Sequence, residues 1–449
     1  MTPFAIRMLA EMLAGFVASV RISQSSQRAP SFGWHPSGTA NYSCGLRGRY
    51  NLTAATVGNV DLDALRRSPI GALVPISGND QRNGGHYDYY AYLPDALPNE
   101  VALASRTWTA VTRAEAALAR LDQAGRQMPH PALLRQPSLR REAQSTSALE
   151  GTFAPIEDVL ASELENRQHA SMEVREILNY VVAAEEGFAW VHERPLTTGL
   201  LANLQRVLVQ GTPGDYTDAG AVRDRQLLIG ARNSAISEAR FVPPPPGDQL
   251  DAGFRQWVDW INHPPEDLPA VVQAALAHYQ FETLHPFSDG NGRIGRLVIA
   301  LQLMRQKVLG EPLLVVSPWF EARRDEYQDG LLRLSTTGEW DTWVSFFARG
   351  VEASADGTRE RIDQLLQWQD ETLRQVRDSG VSGVAERLAG ELIGAPVLRA
   401  SQVAKRHQIS AQGAMKALRR LAELNIVTER SANGRVVFVA TTVVDLLST

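Results

Sequence analysis

The chain has 449 residues, 44% of them hydrophobic and 21% charged, with a formal net charge of −5. That length exceeds what one ordinary core organises, so two to four domains with the composition of a soluble globular protein are expected. The acidic balance excludes a dedicated nucleic-acid scaffold while leaving room for a local basic patch, and the single cysteine, Cys44, excludes an internal disulfide and a cysteine-based zinc site.

In chain order, Met1 to Val20 is apolar, but Glu11 interrupts the run, which disfavours a cleaved signal peptide. The polar stretch Ser23 to Gly48 has no pattern and reads as part of a disordered leader over 1–55, which can lie upstream of the natural start. No charge-free stretch reaches bilayer-spanning length, so no membrane partner is expected, and the expected compartment is a reducing cytoplasm. Between Asp61 and Pro98 the aromatic run from His86 to Pro94 alternates with period two and predicts a short strand closed by prolines.

Helices then dominate. Apolar residues at helical spacing predict helices over Val101–Arg126, Glu157–Leu164 and Glu173–Glu193, the last with Ile177, Val181, Ala184 and Phe188 on one stripe. The runs Arg225–Gly230 and Ala239–Val242 flank a polar turn and end at Pro243–Pro246, which predicts a β-hairpin on a helical body. Helices resume over Asp251–Asn262, Leu268–Glu282, Gly292–Gln306, Pro318–Leu334, Trp340–Glu352 and Arg359–Arg377. After Asp378-Ser379-Gly380 come three short helices, Val384–Ile393, Ser401–Arg406 and Ala411–Leu424, the third capped by Ser410. Val427–Arg430 and Val436–Val439 then alternate around Asn433-Gly434, a favoured hairpin turn. Together these outline a winged helix-turn-helix.

The chemistry concentrates in His285-Pro286-Phe287-Ser288-Asp289-Gly290-Asn291-Gly292-Arg293-Ile294-Gly295-Arg296, between two helical patterns. Gly290 and Gly292 let the backbone turn and approach a ligand closely. The helix that follows offers its first N–H groups as an anion site. Arg293 and Arg296 stand three apart and can face the same phosphates. Asp289 is a hard oxygen ligand suited to Mg²⁺ alongside phosphates. His285 has a proton equilibrium near neutrality, as a general base requires. Each feature alone is ordinary: a capping histidine, an aspartate N-cap, a Gly-Asn-Gly turn. Their coincidence within twelve residues is not.

This segment resembles the Fic-domain signature, His-x-Phe-x-Asp-Gly-Asn-Gly-Arg-x-x-Arg, at every position, and the resemblance extends from about Tyr89 to about Glu352. It implies a protein adenylyltransferase that moves AMP from ATP to Ser, Thr or Tyr hydroxyls of target proteins, itself included. His285 would be the base, Asp289 the Mg²⁺ ligand, and Phe287 the anchor of the loop in the core. The implied nucleotide-binding set is Asp289, Gly290, Asn291, Gly292, Arg293, Ile294, Gly295 and Arg296. Tyr327, where the family contacts the adenosine, and its neighbour Gln328 complete it. The hairpin, with Ile229 and Gly230, corresponds to the flap that holds the target by strand addition.

Ser145-Thr146-Ser147-Ala148-Leu149-Glu150-Gly151 also fits the family's inhibitory pattern, a Ser or Thr, three residues, then Glu-Gly. By itself the pattern is common and is better read as a helix ending at Gly151. In the family reading Thr146 belongs to the motif, and Glu150 would pair with Arg296 and occupy the space of the γ-phosphate. The expected class is therefore mainly α: a helical Fic core with a β-hairpin flap, plus a small C-terminal winged-helix domain. Its expected divisions are the leader, an N-terminal region with the inhibitory helix (56–160), the catalytic core (161–355), a helical linker (356–380) and the winged helix (381–449).

Two other readings use the same residues. The site can run in reverse, removing AMP with Glu150 orienting water. Alternatively the chain is a DNA-binding regulator through 381–449, on Lys405, Arg406, Lys416, Arg419, Arg420 and Arg435. That module can equally serve protein contacts, and a homodimer stays open.

Overall fold

The computed structural model describes residues 61–80, 85–127, 132–154, 159, 171–230, 235–393, 396–432 and 435–448. The expected leader, nearly all of the helix expected over 157–164 and the Asn433-Gly434 turn lie outside them. The chain opens with α1 (Leu62–Arg66) and the strands β1 (Gly71–Asp80) and β2 (Gly85–Pro94). Then come α2 (Ser105–Gln127), α3 (Ala132–Leu149), α4 (Met172–Val191) and α5 (Thr198–Val209). After an irregular stretch follow α6 (Asp248–Asn262), α7 (Ala270–Leu284), α8 (Asn291–Arg305), α9 (Ser317–Glu321), α10 (Arg324–Thr337) and α11 (Trp340–Asp378). The C-terminal part holds α12 (Val384–Glu391), β3 (Val397–Leu398), α13 (Ala400–His407), α14 (Ala411–Glu423), β4 (Thr428–Ala432), β5 (Arg435–Val439) and α15 (Thr441–Ser448).

The fold is mainly helical, and its centre is the pair α7–α8. Nearly every residue of α7 from Val271 to Leu284 is buried, and α8 is buried from Asn291 to Met304. Helices buried on nearly every face sit inside others, and their polar side chains must find partners there. Here α2, α6 and α11 pack against α7, while α3, α4 and α5 pack against α8. Caps fix where the outer helices begin. Ser171 Oγ accepts from Val174 N at 3.3 Å, and Thr197 Oγ1 from Leu200 N at 3.0 Å.

Three elements depart from the sequence reading. The strand at His86–Pro94 pairs antiparallel with β1, in a register from Gly71 opposite Pro94 to Asp80 opposite Gly85. β1 escapes detection because Pro75 lies inside its apolar half and its second half, 77–80, is polar. The two helices expected around Glu352 and Arg359 are one 39-residue helix, α11. Its buried stripe continues through Val351, Ala355, Thr358, Ile362 and Leu365, and packing along α2 outweighs the roughly 1 kcal/mol that Gly357 costs in a helix. The run Pro318–Leu334 divides into α9 and α10, because Arg323 (φ −128°) leaves the helical region.

The expected hairpin over 225–242 is reduced to one antiparallel bridge among the described residues, Ile229 with Phe241. Ile229 N donates to Phe241 O at 2.9 Å and Phe241 N to Ile229 O at 3.0 Å. Gly230, at φ 132°, turns the first strand away, the short 3₁₀ turn Ile236–Glu238 occupies the return, and prolines remove donors beyond Val242. The base of this flap is nonetheless held. Ala239, Phe241 and Val242 share a small core with Leu65, Ala91 and Tyr92, and Tyr92 N donates to Val242 O at 2.9 Å.

In the C-terminal part, β3, β5 and β4 form an antiparallel sheet in that order, and Ser410 Oγ caps α14 by accepting from Gly413 N at 3.1 Å. Its last helix, α15, packs on α11 and α3. No described helix is long and apolar enough to cross a membrane.

Candidate active site

The segment 285–296 joins α7 to α8. His285 closes α7 in a left-handed conformation, φ 51°, with its N–H still bonded to Phe281 O at 2.9 Å. A non-glycine residue there stores on the order of 1 kcal/mol of strain or more, so its surroundings must hold it. Its carbonyl accepts from Arg223 Nε at 2.8 Å, and its Nδ1 lies 3.2 Å from Glu282 O. Because a carbonyl can only accept, that contact places the ring proton on Nδ1 and leaves Nε2 with its lone pair. Burial, with the Arg223 guanidinium adding, pushes the imidazole down to about 4. His285 is therefore neutral, and able to take a proton, across the neutral range.

The loop itself is closed from within. Phe287 is fully buried, edge-on to Phe254 at 5.8 Å between ring centres. Asn291 accepts from Phe287 N at 2.8 Å and donates to Phe287 O at 2.6 Å. Its side-chain amide is thus a clasp for the loop. Gly290, at φ 80°, is the N-cap of α8, and a Cβ on it would lie 2.8 Å from Leu208 Cδ2. The first N–H groups of α8 have no carbonyl one turn back to bond, and the helix dipole adds positive potential at this end. An anion site results.

Asp289 stands at the mouth, its side chain 40% exposed, with Oδ1 accepting from Gly290 N at 2.7 Å. Gln205 Nε2 donates to Asp289 O at 3.1 Å, and Ser288 Oγ donates to Asp218. The described residues hold no cluster of three or more His, Cys, Asp or Glu side chains able to bind a metal ion. A single accessible carboxylate still fits Mg²⁺, which commonly takes its remaining ligands from phosphates and water.

The two arginines, expected to act as a pair, have separate partners. Arg293 Nη1 lies 2.7 Å from Glu176 Oε2 and its Nη2 3.4 Å from Asp289 Oδ1, with the side chain 3% exposed. Arg296, 1% exposed, donates from Nε to Thr146 Oγ1 at 2.6 Å and from Nη2 to Thr146 O at 3.0 Å. Its Nη2 also meets Glu150 Oε1 at 2.6 Å. Glu150 follows the last residue of α3, and Gly151, at φ 90°, ends the helix there. The helix-end reading and the Glu150–Arg296 contact are therefore both present. Burial alone would raise the Glu150 carboxyl, but Arg296, with Arg293 and His285, holds it below the usual carboxylate range. A Cβ on Gly292 would come within 2.0 Å of Glu150 Oε1, so only glycine admits the carboxylate in this position.

Four expected nucleotide contacts have other surroundings here. Ile294 is wholly buried, and Gly295 allows α8 to approach α7, since a Cβ there would lie 2.5 Å from Glu282 Oε1. Both pack the helix pair. Tyr327 is 3% exposed and its hydroxyl lies 2.8 Å from His278 Nε2, stacked against Phe320, so it is a core residue and not an open adenosine contact. Gln328 beside it is half-buried. Ile229 and Gly230 sit at the flap bridge.

Sequence reasoning missed Arg223, Glu176, Gln205 and Glu282. The first three come from separate elements and no spacing links them to the loop. Glu282, three residues before His285, is pushed up to about 8 by burial, with Glu150 adding to the effect and Arg296 opposing it. Of the basic residues marked in the C-terminal part, Arg406, Arg419 and Arg420 pair with Glu391 (3.2 Å), Glu429 (3.7 Å) and Glu423 (2.6 Å).

Residues 108–189 match the model of the Fic/DOC family N-terminal region and residues 195–303 that of the Fic/DOC family. Over 170 residues the chain is 31% identical to a protein adenylyltransferase Fic of Drosophila willistoni, covering 36% of this chain and 31% of that protein. Over 153 residues it is 34% identical to the protein of the same name from Nematostella vectensis, covering 34% and 31%. The chain thus spans about a third of the length of these relatives. A solved Fic family protein from Desulfovibrio desulfuricans aligns over 76% of this chain and 98% of its own, with 18% identity and a TM-score of 0.49. Residues 108–303 are thus similar to the Fic/DOC family over both of its matched regions.

Proposed function

We propose that the chain is a protein adenylyltransferase, restrained by Glu150. The observation that carries the reading is His285, neutral at the end of α7, five residues before the anion-binding N-terminus of α8. A target hydroxyl, held by strand addition along the flap at Ile229 and Gly230, gives its proton to His285 Nε2. The hydroxyl oxygen forms a bond to the α-phosphorus of ATP as the bond to pyrophosphate breaks. The N–H groups of Asn291, Gly292 and Arg293 hold phosphate oxygens, and Asp289 would hold a divalent cation that neutralises the leaving pyrophosphate. An anionic nucleotide beside the imidazole also favours its protonated form, which strengthens the base once substrate is bound.

Restraint follows from Arg296. While it is bonded to Glu150 and Thr146, its guanidinium is committed, and the outer phosphate must bind in another pose that misaligns the α-phosphate. The same carboxylate, charged and 41% exposed, suits the reverse reaction, in which it would orient a water to release AMP. A DNA-binding role for 381–449 draws less support, since three of the basic residues it needs already face acids.

The test is incorporation of α-labelled AMP into the enzyme itself and into lysate proteins, with and without chelator. Label should appear with Glu150→Gly, disappear with chelator, and fail to appear when His285→Ala is added. Label that persists in the double variant would reject the assignment.

A further inference from the structure

Arg223 stands just ahead of the flap and is 1% exposed. Its guanidinium spans three stretches of chain. Nε donates to His285 O at 2.8 Å, Nη1 to Arg225 O at 2.9 Å, and Nη2 to Pro244 O at 2.5 Å with Leu284 O at 3.5 Å. Its own N–H donates to Pro286 O at 2.9 Å. Buried arginines are ordinarily matched by carboxylates, whereas these partners are all backbone carbonyls. The cation is costly in such a place, and burial lowers its pKa to about 10. A residue kept buried at that cost is doing something a neutral side chain would not.

The carbonyls it gathers are specific. Arg225 lies where the flap leaves the body, Pro244 where it returns, and His285 is the proposed base. We propose that Arg223 is a positioning residue for group transfer: it fixes both ends of the flap and the backbone of His285 in one frame, so that a hydroxyl carried by the flap arrives at the imidazole. This deepens the adenylyltransferase reading and rests on it. The planar fork of arginine can reach several carbonyls at once, which the point charge of lysine cannot.

The charge has a second consequence. The ionisable groups around the imidazole are Arg223 ahead of the flap, Glu282 on α7, Asp289 in the loop and Glu150 beyond α3; Arg223 is the one that disfavours its protonation, and Glu150 and Asp289 favour it. Removing the cation therefore raises the pH at which His285 titrates; loss of burial would raise it too, and the charge-keeping lysine variant separates the two, because only loosened packing would move the midpoint there as well.

The experiment uses the full chain with Glu150→Gly as parent, and compares Arg223→Met with Arg223→Lys. Labelled-AMP transfer, ATP affinity by titration and the thermal midpoint are measured. The His285 titration is followed by NMR of isotope-labelled histidine, its signal identified by its loss in His285→Ala. With Met, the His285 midpoint rises by about one pH unit and transfer falls at least about tenfold, while ATP affinity stays within about twofold. With Lys, the midpoint stays near that of the parent, yet transfer still falls because the fork is gone. Unchanged transfer in both variants, or an unmoved His285 midpoint in the Met variant, would overturn the proposal. Should Arg223→Met fail to fold, Arg223→Gln keeps amide donors toward the carbonyls without the charge and carries the same titration. The midpoint is read without catalysis, so a parent that transfers no AMP would reject the adenylyltransferase reading and leave the titration test standing.

Discussion

The end of α3 and the flap both hold the loop between α7 and α8, by different chemistry. From α3, Glu150 reaches Arg296 with a charged carboxylate, 41% exposed, across a 2.6 Å contact. At the flap, buried Arg223 gathers backbone carbonyls that belong to the loop and to both flap ends. An anion held by a cation can be replaced by another anion, including a phosphate. Carbonyls held by a buried fork have no ligand that could replace them without unfolding the turn. The first contact is therefore suited to a switch and the second to a frame, and variants on each side should behave accordingly.

The largest effect is expected between the two regions, at the proposed base. His285→Ala should lower AMP transfer by on the order of 10²–10⁴ while ATP affinity stays within about twofold, because the imidazole acts on the hydroxyl and not on the nucleotide. Turnover near that of the parent would show that another group removes the proton.

On the switch side, Glu150→Gly should raise incorporation of labelled AMP on the order of tenfold, by freeing Arg296 for the outer phosphate. Arg296→Ala should not reproduce the gain, since it removes restraint and phosphate partner together. Equal incorporation by wild type and Glu150→Gly would make Glu150 merely the end of a helix.

On the frame side, Asn291→Ala removes both side-chain bonds to the Phe287 backbone. A loss of about 1–3 kcal/mol in urea unfolding is expected, with lower transfer, because two buried backbone groups lose their partners. A variant as stable as the parent would show that the loop is held by Phe287 packing alone.

The smallest effect concerns the pair itself. Glu150→Gln should cost on the order of 1 kcal/mol at pH 7, because the exposed carboxylate is screened by water. The folded carboxyl lies below its ordinary value, so its stabilisation is complete above the usual carboxylate range. It disappears as pH falls through the folded value. Urea unfolding of both proteins between neutral and acid pH should converge toward the acid end. A difference that grows on acidification would contradict the assigned direction.

Much of this was legible beforehand. The helices α4, α6, α7 and α8 follow from apolar spacing, and their ends fall within three residues of the expected bounds. The continuity of α11 was not legible, because Gly357 and the polar residues around it read as a break until α2 is seen beside them. The partner of the aromatic strand was not legible either, since β1 carries Pro75 in its apolar half and a polar second half. At the flap, two extended runs are visible in sequence, but whether they form a ladder depends on backbone angles such as the φ of Gly230.

The sequence by itself determined the chemistry of the loop, because glycines, a histidine, an acid and two arginines within twelve residues act largely through the turn they themselves make. It also offered Glu150 as a partner for Arg296. What only the tertiary structure decided is how each polar group is spent. Arg293 goes to Glu176 on α4, Arg296 to Thr146 and Glu150, Tyr327 to His278 in the core, and Arg223 to carbonyls on both sides of the flap. Local spacing fixes the direction of a side chain relative to its own helix. The group that meets it lies tens or hundreds of residues away in sequence, and the packing of α7 and α8 among their neighbours selects it.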